Sequence, residues 1–570
     1  MIKVLNHKLF TKYIFFLTIF LVPIIEIFYP FITNQIIIIN EFLDIPISSS
    51  FEIKDKTTSI SPIYLNASID SLHLAYKTLI GYFFHHHMNF LIPSFELYEN
   101  FNTSIHQYGI LTSIITGGLC KLLFGNISLA SYFSVLYSMY IIFYTLIFYL
   151  IWIILKNKIL LIPASLLLYL FLYIVGFESY YMTPTLNPIR QLLFPVIFLL
   201  CFYYFKDYNS KKYNKILLLI IISYFINSQF TLLFILSLII LKVGLFLIYK
   251  LNENQKKHLK LTIFLFIILI GLNISYSFNY SNSFSEYFII LGPELDINSY
   301  VFLLFFISVL PSICIRLWKG ENFEFVTLVS IYFSLSMIYY VWNPSMNHFS
   351  PISWPWVIIV ILYCDEIYHE KILVNYQSFI VLLVAFALIC YEARANFYIA
   401  KKNYYDKTIE VSQVFNWDTE NSQIKSTIDD IYINDACNLF EKYSDKKNIT
   451  MLSLHDSYLP FVCGYSNKNY SMQVGLNLPT KKEERELISY YEKTSVETIF
   501  VDNLLLNIEE NSEYDLTLIQ VSSIVGIDKI IHLKYFSDLV KKIITKYDYR
   551  LIEKGKKLSV FKRKVIADEN

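Results

Sequence analysis

A carboxylate, an imidazole and an ammonium fall within two helical turns at Asp70-Ser-Leu-His73 and Lys77. Residues three and four apart share a helix face, so the three groups would point together. They supply a catalytic base with a positioning partner, or a carboxylate and an imidazole on one metal ion. A solvated face on a helix at a membrane surface has the same pattern. His85-His86-His87 adds imidazoles without that geometry, because adjacent residues on a helix diverge and cannot all chelate one ion. Glu96, Glu99 and His106 follow, just before Gln107-Tyr108-Gly109, and no spacing among them demands a shared site.

Two further groups stand apart from this cluster. Arg190, in Leu186-Asn-Pro-Ile-Arg190, begins an apolar run on a face that otherwise avoids basic residues. An arginine at the edge of hydrocarbon is costly unless paired. Its fork of donors suits a lipid phosphate or pyrophosphate, and snorkelling to the headgroups is the plainer alternative. His348, in Asn343-Pro-Ser-Met-Asn347-His348-Phe-Ser-Pro351, sits in a connector between two apolar runs, either touching a ligand or simply solvated.

The elements that must position these groups are membrane helices. Of 570 residues, 55% are hydrophobic and only 16% charged, with mean hydropathy +0.47. Soluble domains carry about a quarter charged residues. Apolar runs near 13–32, 128–155, 159–177, 189–205, 216–227, 229–249, 261–279, 301–317, 325–342, 352–366 and 376–395 predict an α-helical polytopic membrane protein. That makes about eleven transmembrane helices, each long enough for a hydrocarbon core of roughly 30 Å. Such continuous runs exclude a β-barrel. With 47 basic and 46 acidic residues, net charge +1 and no block of like charge, nothing points to nucleic acid.

Charge in the connectors sets the expected topology. Lys3, Lys8 and Lys12 precede the first run, which lacks a small-residue cleavage site and reads as an anchor with a cytoplasmic N-terminus. Lys206, Lys211, Lys212 and Lys215 form one basic connector, Lys250, Lys256, Lys257 and Lys260 a second, Arg316 and Lys319 a third. The alternate connectors 178–188, 276–299 and 343–351 hold almost no Lys or Arg. If 108–125 crossed the membrane, every basic connector would fall opposite the basic N-terminus. It is therefore expected as an interfacial helix, which Gly117, Gly118 and Lys121 tolerate; an inverted N-terminal segment is the alternative. Loop 33–107 and the C-terminal domain are then expected outside the cytoplasm, on a multi-pass chain integral to the cell (inner) membrane.

Polar composition from 397 onward predicts a second unit, 397–570, after a membrane unit of 1–396. Within it the patterns predict helices over 427–444, 481–493 and 534–546, strands over 449–454 and 496–502, and a closing hairpin at 549–551 and 558–561. Strand, helix, strand suggests a small α/β layer with a parallel pair. Gly464 and Gly475 are isolated, so no phosphate-cradling loop is present. Seven cysteines form no CxxC pair. Cys437 and Cys463, alone in the polar unit, could close a disulfide outside the cytoplasm or stay two separate thiols.

Asp70-Ser-Leu-His73, His106-Gln-Tyr108-Gly109-Ile-Leu-Thr and Asn343 to His348 resemble stretches of the GT-C superfamily of membrane glycosyltransferases. The resemblance covers the whole chain in layout and these short stretches in residues. It implies transfer of a sugar from a polyprenyl-phosphate carrier to a glycan, lipid or protein acceptor on the extracytoplasmic face. It further implies Asp70 as base, with Asp44 and Asp55 as fallbacks, and His73 as its positioning partner or a metal ligand. Arg190, Lys77, His106, Tyr108 and His348 would contact substrate or lipid phosphate, and a divalent metal ion is an alternative to the cations. The chain departs from the family pattern at Asn343 and Ser345, where members often carry a charged pair before the histidine.

Three other readings fit a polytopic chain. An O-antigen-type polymerase or ligase concentrates its polar groups in a large late outer loop, whereas the large loop here is early. A lipid-linked glycan transporter or flippase would carry ionisable residues within its spans and an inverted repeat. An inactive membrane scaffold is the third, favoured by the missing charged pair before His348.

Overall fold

The structure, a computed structural model, describes residues 90–99, 109–169, 188–248, 252–280, 322–342 and 346–370 of the membrane unit. In the C-terminal unit it describes 415–419, 421–426, 431–444, 448–453, 458–468, 481–494, 496–507 and 528–564. The membrane unit is helical: α1 (90–99), α2 (Ile110–Phe124), α3 (Leu129–Ile154), α4 (Leu161–Tyr169), α5 (Pro188–Gln191), α6 (Phe194–Asp207), α7 (Ser210–Ile226), α8 (Ser228–Ile248), α9 (Glu253–Tyr280), α10 (Phe323–Trp342) and α11 (Met346–Glu370).

Among the described residues four helices are long and apolar enough to cross a membrane: Leu129–Ile154, Ile189–Asp207, Ser228–Ile248 and Glu253–Ile274. The expected runs at 13–32, 301–317 and 376–395 lie outside the described residues, and 159–177 is described only as far as Tyr169. The run expected at 216–227 is the apolar end of α7, a helix of 17 residues whose first turns carry Lys211, Lys212 and Lys215. Ile110–Phe124 is apolar but only 15 residues long, about 22 Å of helix against a core of roughly 30 Å.

Helix ends follow local chemistry. Ser128 starts α3 with a reciprocal cap: its hydroxyl accepts from the Ser131 N–H at 3.2 Å, and the Ser131 hydroxyl accepts from the Ser128 N–H at 2.9 Å. Asn209 caps α7 by accepting from the Lys211 N–H at 2.8 Å. Tyr208, left-handed at φ 49, turns the chain between α6 and α7. The backbone N–H groups after α3, at Lys156 and Asn157, donate to the Asp365 carboxylate near the end of α11 at 2.7 and 2.9 Å. Aromatic rings fill the bundle where lipid offers no hydrophobic drive and packing must hold helices together. Phe198 on α6 lies 5.1 Å from Phe234 on α8, and 5.4 Å from both Tyr332 on α10 and Trp354 on α11.

The turns of the first two basic connectors meet at one end of the bundle. Ser210 Oγ lies 3.2 Å from His258 Nε2, so the α6–α7 turn adjoins the start of α9. Tyr208 donates to Glu324, bringing the start of α10 to the same end.

The C-terminal unit contains β1 (Phe415–Trp417), β2 (Ile424–Ser426), α12 (Ile431–Tyr443), β3 (Asn448–Ile449), β4 (Met451–Leu452), α13 (Tyr458–Val462), β5 (Ser466–Asn467), α14 (Lys481–Lys493), β6 (Thr498–Asp502), α15 (Asn503–Asn507), α16 (Asp528–Lys546), β7 (Tyr549–Lys554) and β8 (Leu558–Arg563). Its main sheet has the order β4-β6-β8-β7, with β4 and β6 parallel and the other pairs antiparallel. Both faces of β6 are covered, as its uninterrupted apolar run requires. Ile499 and Val501 pack with Leu487, Tyr491 and Val540. Phe500, on the other face, joins Phe440, Phe461 and Val560 in a cluster that continues into Phe90, Tyr132 and Leu136 of the membrane unit. Cys437 and Cys463 form a disulfide, resolving the alternative left open by their spacing.

Candidate functional site

Asp70, His73, Lys77, His106 and Tyr108 lie outside the described residues. His348 falls in α11, in its first turn, where the sequence pattern reads as a prolyl connector. The part of the expected site that the structure describes is Arg190 and what surrounds it.

Arg190 sits in the single turn of α5, started by Pro188. Ile189 packs into the cluster that holds Phe133 and Leu136 of α3, which pins the turn and leaves Arg190 itself only 5% exposed. Arg190 Nη2 donates to Gln229 Oε1 at 3.4 Å, and its guanidinium carbon lies 5.7 Å from the centre of the Phe230 ring. A π face and an amide oxygen are among the groups that stabilise this buried cation.

Two buried amides stand beside Arg190 and Gln229 along the chain. Gln191 accepts from Trp354 Nε1 at 2.8 Å, which fixes the amide so that Nε2 is the N–H₂ group. That nitrogen is buried without an acceptor among the described residues. Asn227, two residues before Gln229, accepts from the Phe230 N–H through Oδ1 at 3.3 Å, and its Nδ2 is likewise buried with no acceptor among the described residues. A cation and two amide N–H₂ groups make this corner rich in donors. Donors of this kind suit an anion. They do not fit a metal ion, and among the described residues no group of three or more His, Cys, Asp or Glu could hold one.

Gly109, the residue after Tyr108, closes the corner from another side. At φ +107 it presses on the end of α7, where an added Cβ would run into the Phe225 carbonyl oxygen and stand 2.9 Å from that of Ile226. Only glycine tolerates both the backbone angle and the approach.

Glu96 and Glu99 take up structural bonds. Glu99 pairs with Lys121 on α2. Glu96, 5% exposed, accepts from the Ser466 hydroxyl at 2.6 Å and lies 3.6 Å from Lys468 Nζ. Sequence reading gave no sign of this contact between the first polar segment and the C-terminal unit.

A second polar cluster, at the opposite end of the bundle, was also missed. His258 bonds Tyr204 through Nδ1 at 2.7 Å and Ser210 through Nε2 at 3.2 Å, and stacks on Tyr213 at 4.1 Å. Lys242 lies over the same Tyr213 ring at 4.0 Å. Both imidazole nitrogens are satisfied, so this cluster ties the ends of α6, α7, α8 and α9 together. No protein-family model matches the chain, and no curated protein matches it either.

Proposed function

We propose that this chain is a membrane glycosyltransferase of the GT-C kind. It moves a sugar from a polyprenyl-phosphate carrier to a glycan, lipid or protein acceptor on the extracytoplasmic face of a cell membrane, with about eleven spans in all. The observation that carries the reading is the donor-rich corner at Arg190, with the buried N–H₂ groups of Gln191 and Asn227 beside it.

In the reaction, an acceptor hydroxyl oxygen bonds the anomeric carbon, and the carbon–oxygen bond to phosphate breaks. The electron pair leaves with the phosphate, and the hydroxyl proton goes to a base. Asp70 is assigned as that base, with His73 positioning it. The leaving phosphate is already a good leaving group, so no strong acid is required. The stabilisation that matters falls on its growing negative charge, the task of Arg190 and the neighbouring amides. Lys77, His106, Tyr108 and His348 are assigned to the sugar and acceptor side. A divalent ion is the alternative to these cations.

Support for sidedness comes from the geometry of the two ends. The turns of the first two basic connectors share one end of the bundle, and the disulfide-bearing C-terminal unit meets the other through the start of α3. Disulfides persist in oxidising compartments, and Lys-rich connectors face the cytoplasm.

Binding of polyprenyl phosphate to the full chain in nanodiscs tests the site. Wild type should bind and Arg190→Gln should lose about tenfold or more in affinity. Equal affinity in both proteins would remove Arg190 from the phosphate site.

A further inference from the structure

Among the described residues the C-terminal unit meets the membrane unit in two regions, both of which lead to the Arg190 corner. At the first, the Leu129 and Ala130 N–H groups opening α3 donate to the carbonyls of Asn421 and Ser422 at 2.9 and 3.2 Å. The first half of α3 in turn packs around Ile189, next to Arg190. At the second, Glu96 on α1 is held by Ser466 and Lys468, while the Phe95 ring meets Phe461 edge-on at 5.3 Å.

Helix α1 passes that hold to α2. Ser94 Oγ donates to the Ser113 carbonyl at 3.0 Å, and Tyr98 Oη to the Ile114 carbonyl at 2.9 Å. Tyr98 lies so close to Gly117 that an added Cβ would sit 2.6 Å from its ring. Helix α2 begins at the glycine that presses on Phe225 and Ile226, directly before Asn227 and Gln229. The path from Glu96 to the amides of the corner is thus continuous packing.

We infer that Glu96 is a positioning residue: clamped by Ser466 and Lys468 of the C-terminal unit, it sets α1 and α2 so that Gly109 holds the 225–229 turn against Arg190. The disulfide between Cys437 and Cys463 steadies the clamp, because it ends the segment that carries Phe461 and precedes Ser466. The C-terminal unit is then part of the anion site's scaffold. The inference rests on the phosphate-site reading only for what the corner binds, not for the positioning itself.

Hydrogen exchange and lipid binding on the full chain in nanodiscs separate the two. A hydrogen bond to a buried carboxylate contributes enough that Glu96→Gln should raise exchange by about tenfold. The rise should appear in peptides over 109–112 and 227–231 as well as in 90–99 and 458–468. Polyprenyl phosphate affinity should weaken by a similar factor. Lys468→Glu, at a half-exposed site that leaves folding intact, should produce the same pattern more mildly, and Glu96→Lys combined with Lys468→Glu should restore protection at 109–112. Exchange that rises only in 90–99 and 458–468 would overturn the positioning role. Should wild type fail to bind the lipid, the functional reading falls while the exchange pattern still decides the role of Glu96.

Discussion

Glu96 and Ser466 are separated by 370 positions in the chain and joined by a 2.6 Å hydrogen bond. That bond fastens the last described stretch of the first polar segment to the C-terminal unit. The apolar cluster running from Phe90 to Phe500 makes the same join without charge. The two units therefore share a core instead of meeting at a linker alone.

Gly109 should resist substitution more than any exposed helical glycine. Gly109→Ala forces a left-handed backbone and a clash with two carbonyls, a loss of about 2–4 kcal/mol. Gly244→Ala, where an added Cβ meets nothing within 4 Å, is the control. Thermal unfolding in detergent should show a clear drop for the first and none for the second; equal midpoints would mean that the end of α7 yields freely.

The disulfide closes a separation of 26 residues, which stabilises by about 3–4 kcal/mol. Cys437→Ser with Cys463→Ser should lower the unfolding midpoint of the C-terminal unit while leaving the membrane helices intact. Alkylation of intact cells before lysis should leave both thiols of the native chain unlabelled. Labelling of both would place the unit in a reducing compartment.

Burial raises the Tyr549 phenol to about 12, with Arg563 opposing, and its hydroxyl donates to the Val496 carbonyl at 2.5 Å. A raised folded-state value means the neutral form is favoured by folding, so its contribution is full below about 10, the unfolded value. It is lost as pH rises through about 12. At the acid end the sign reverses: Lys442 and Tyr443 depress the Glu553 carboxyl, and that contribution fades as pH falls below about 4.5. Unfolding followed against pH should show an alkaline decline that Tyr549→Phe flattens; an unchanged decline would assign it to other groups.

Much of the C-terminal unit was legible in the sequence because its signals are local. The helix expected at 481–493 is Lys481–Lys493, since Leu487, Ile488 and Tyr491 share one face that packs inward, and the strand expected at 496–502 is Thr498–Asp502. Short elements such as β1 and β2, three residues each, carry too little pattern to be read. In the site, Arg190 stood out because charge is conspicuous in an apolar run. Gln191 and Asn227 did not, because an uncharged amide near a span end looks like any other. The role of Glu96 was invisible because its partners lie far along the chain, and nothing local to Glu96 names them.

Topology is testable independently of activity. A reporter active only outside the cytoplasm should be silent when fused at Lys212 and active when fused at Lys493. Matching signals at both positions would break the assigned sidedness.

Asp70→Asn should abolish transfer while leaving expression and membrane insertion unchanged, because the amide cannot accept the acceptor's proton. An active variant would move the base to Asp44 or Asp55.

Removing the gene and quantifying lipid-linked sugars alongside envelope glycans by mass spectrometry tests the central claim most directly. One polyprenyl-phosphate sugar should accumulate while one glycan loses the corresponding residue, and cells carrying Arg190→Gln should show the same two changes. A lipid-linked pool and a glycan profile both unchanged on deletion would contradict the assignment of glycosyl transfer to this chain.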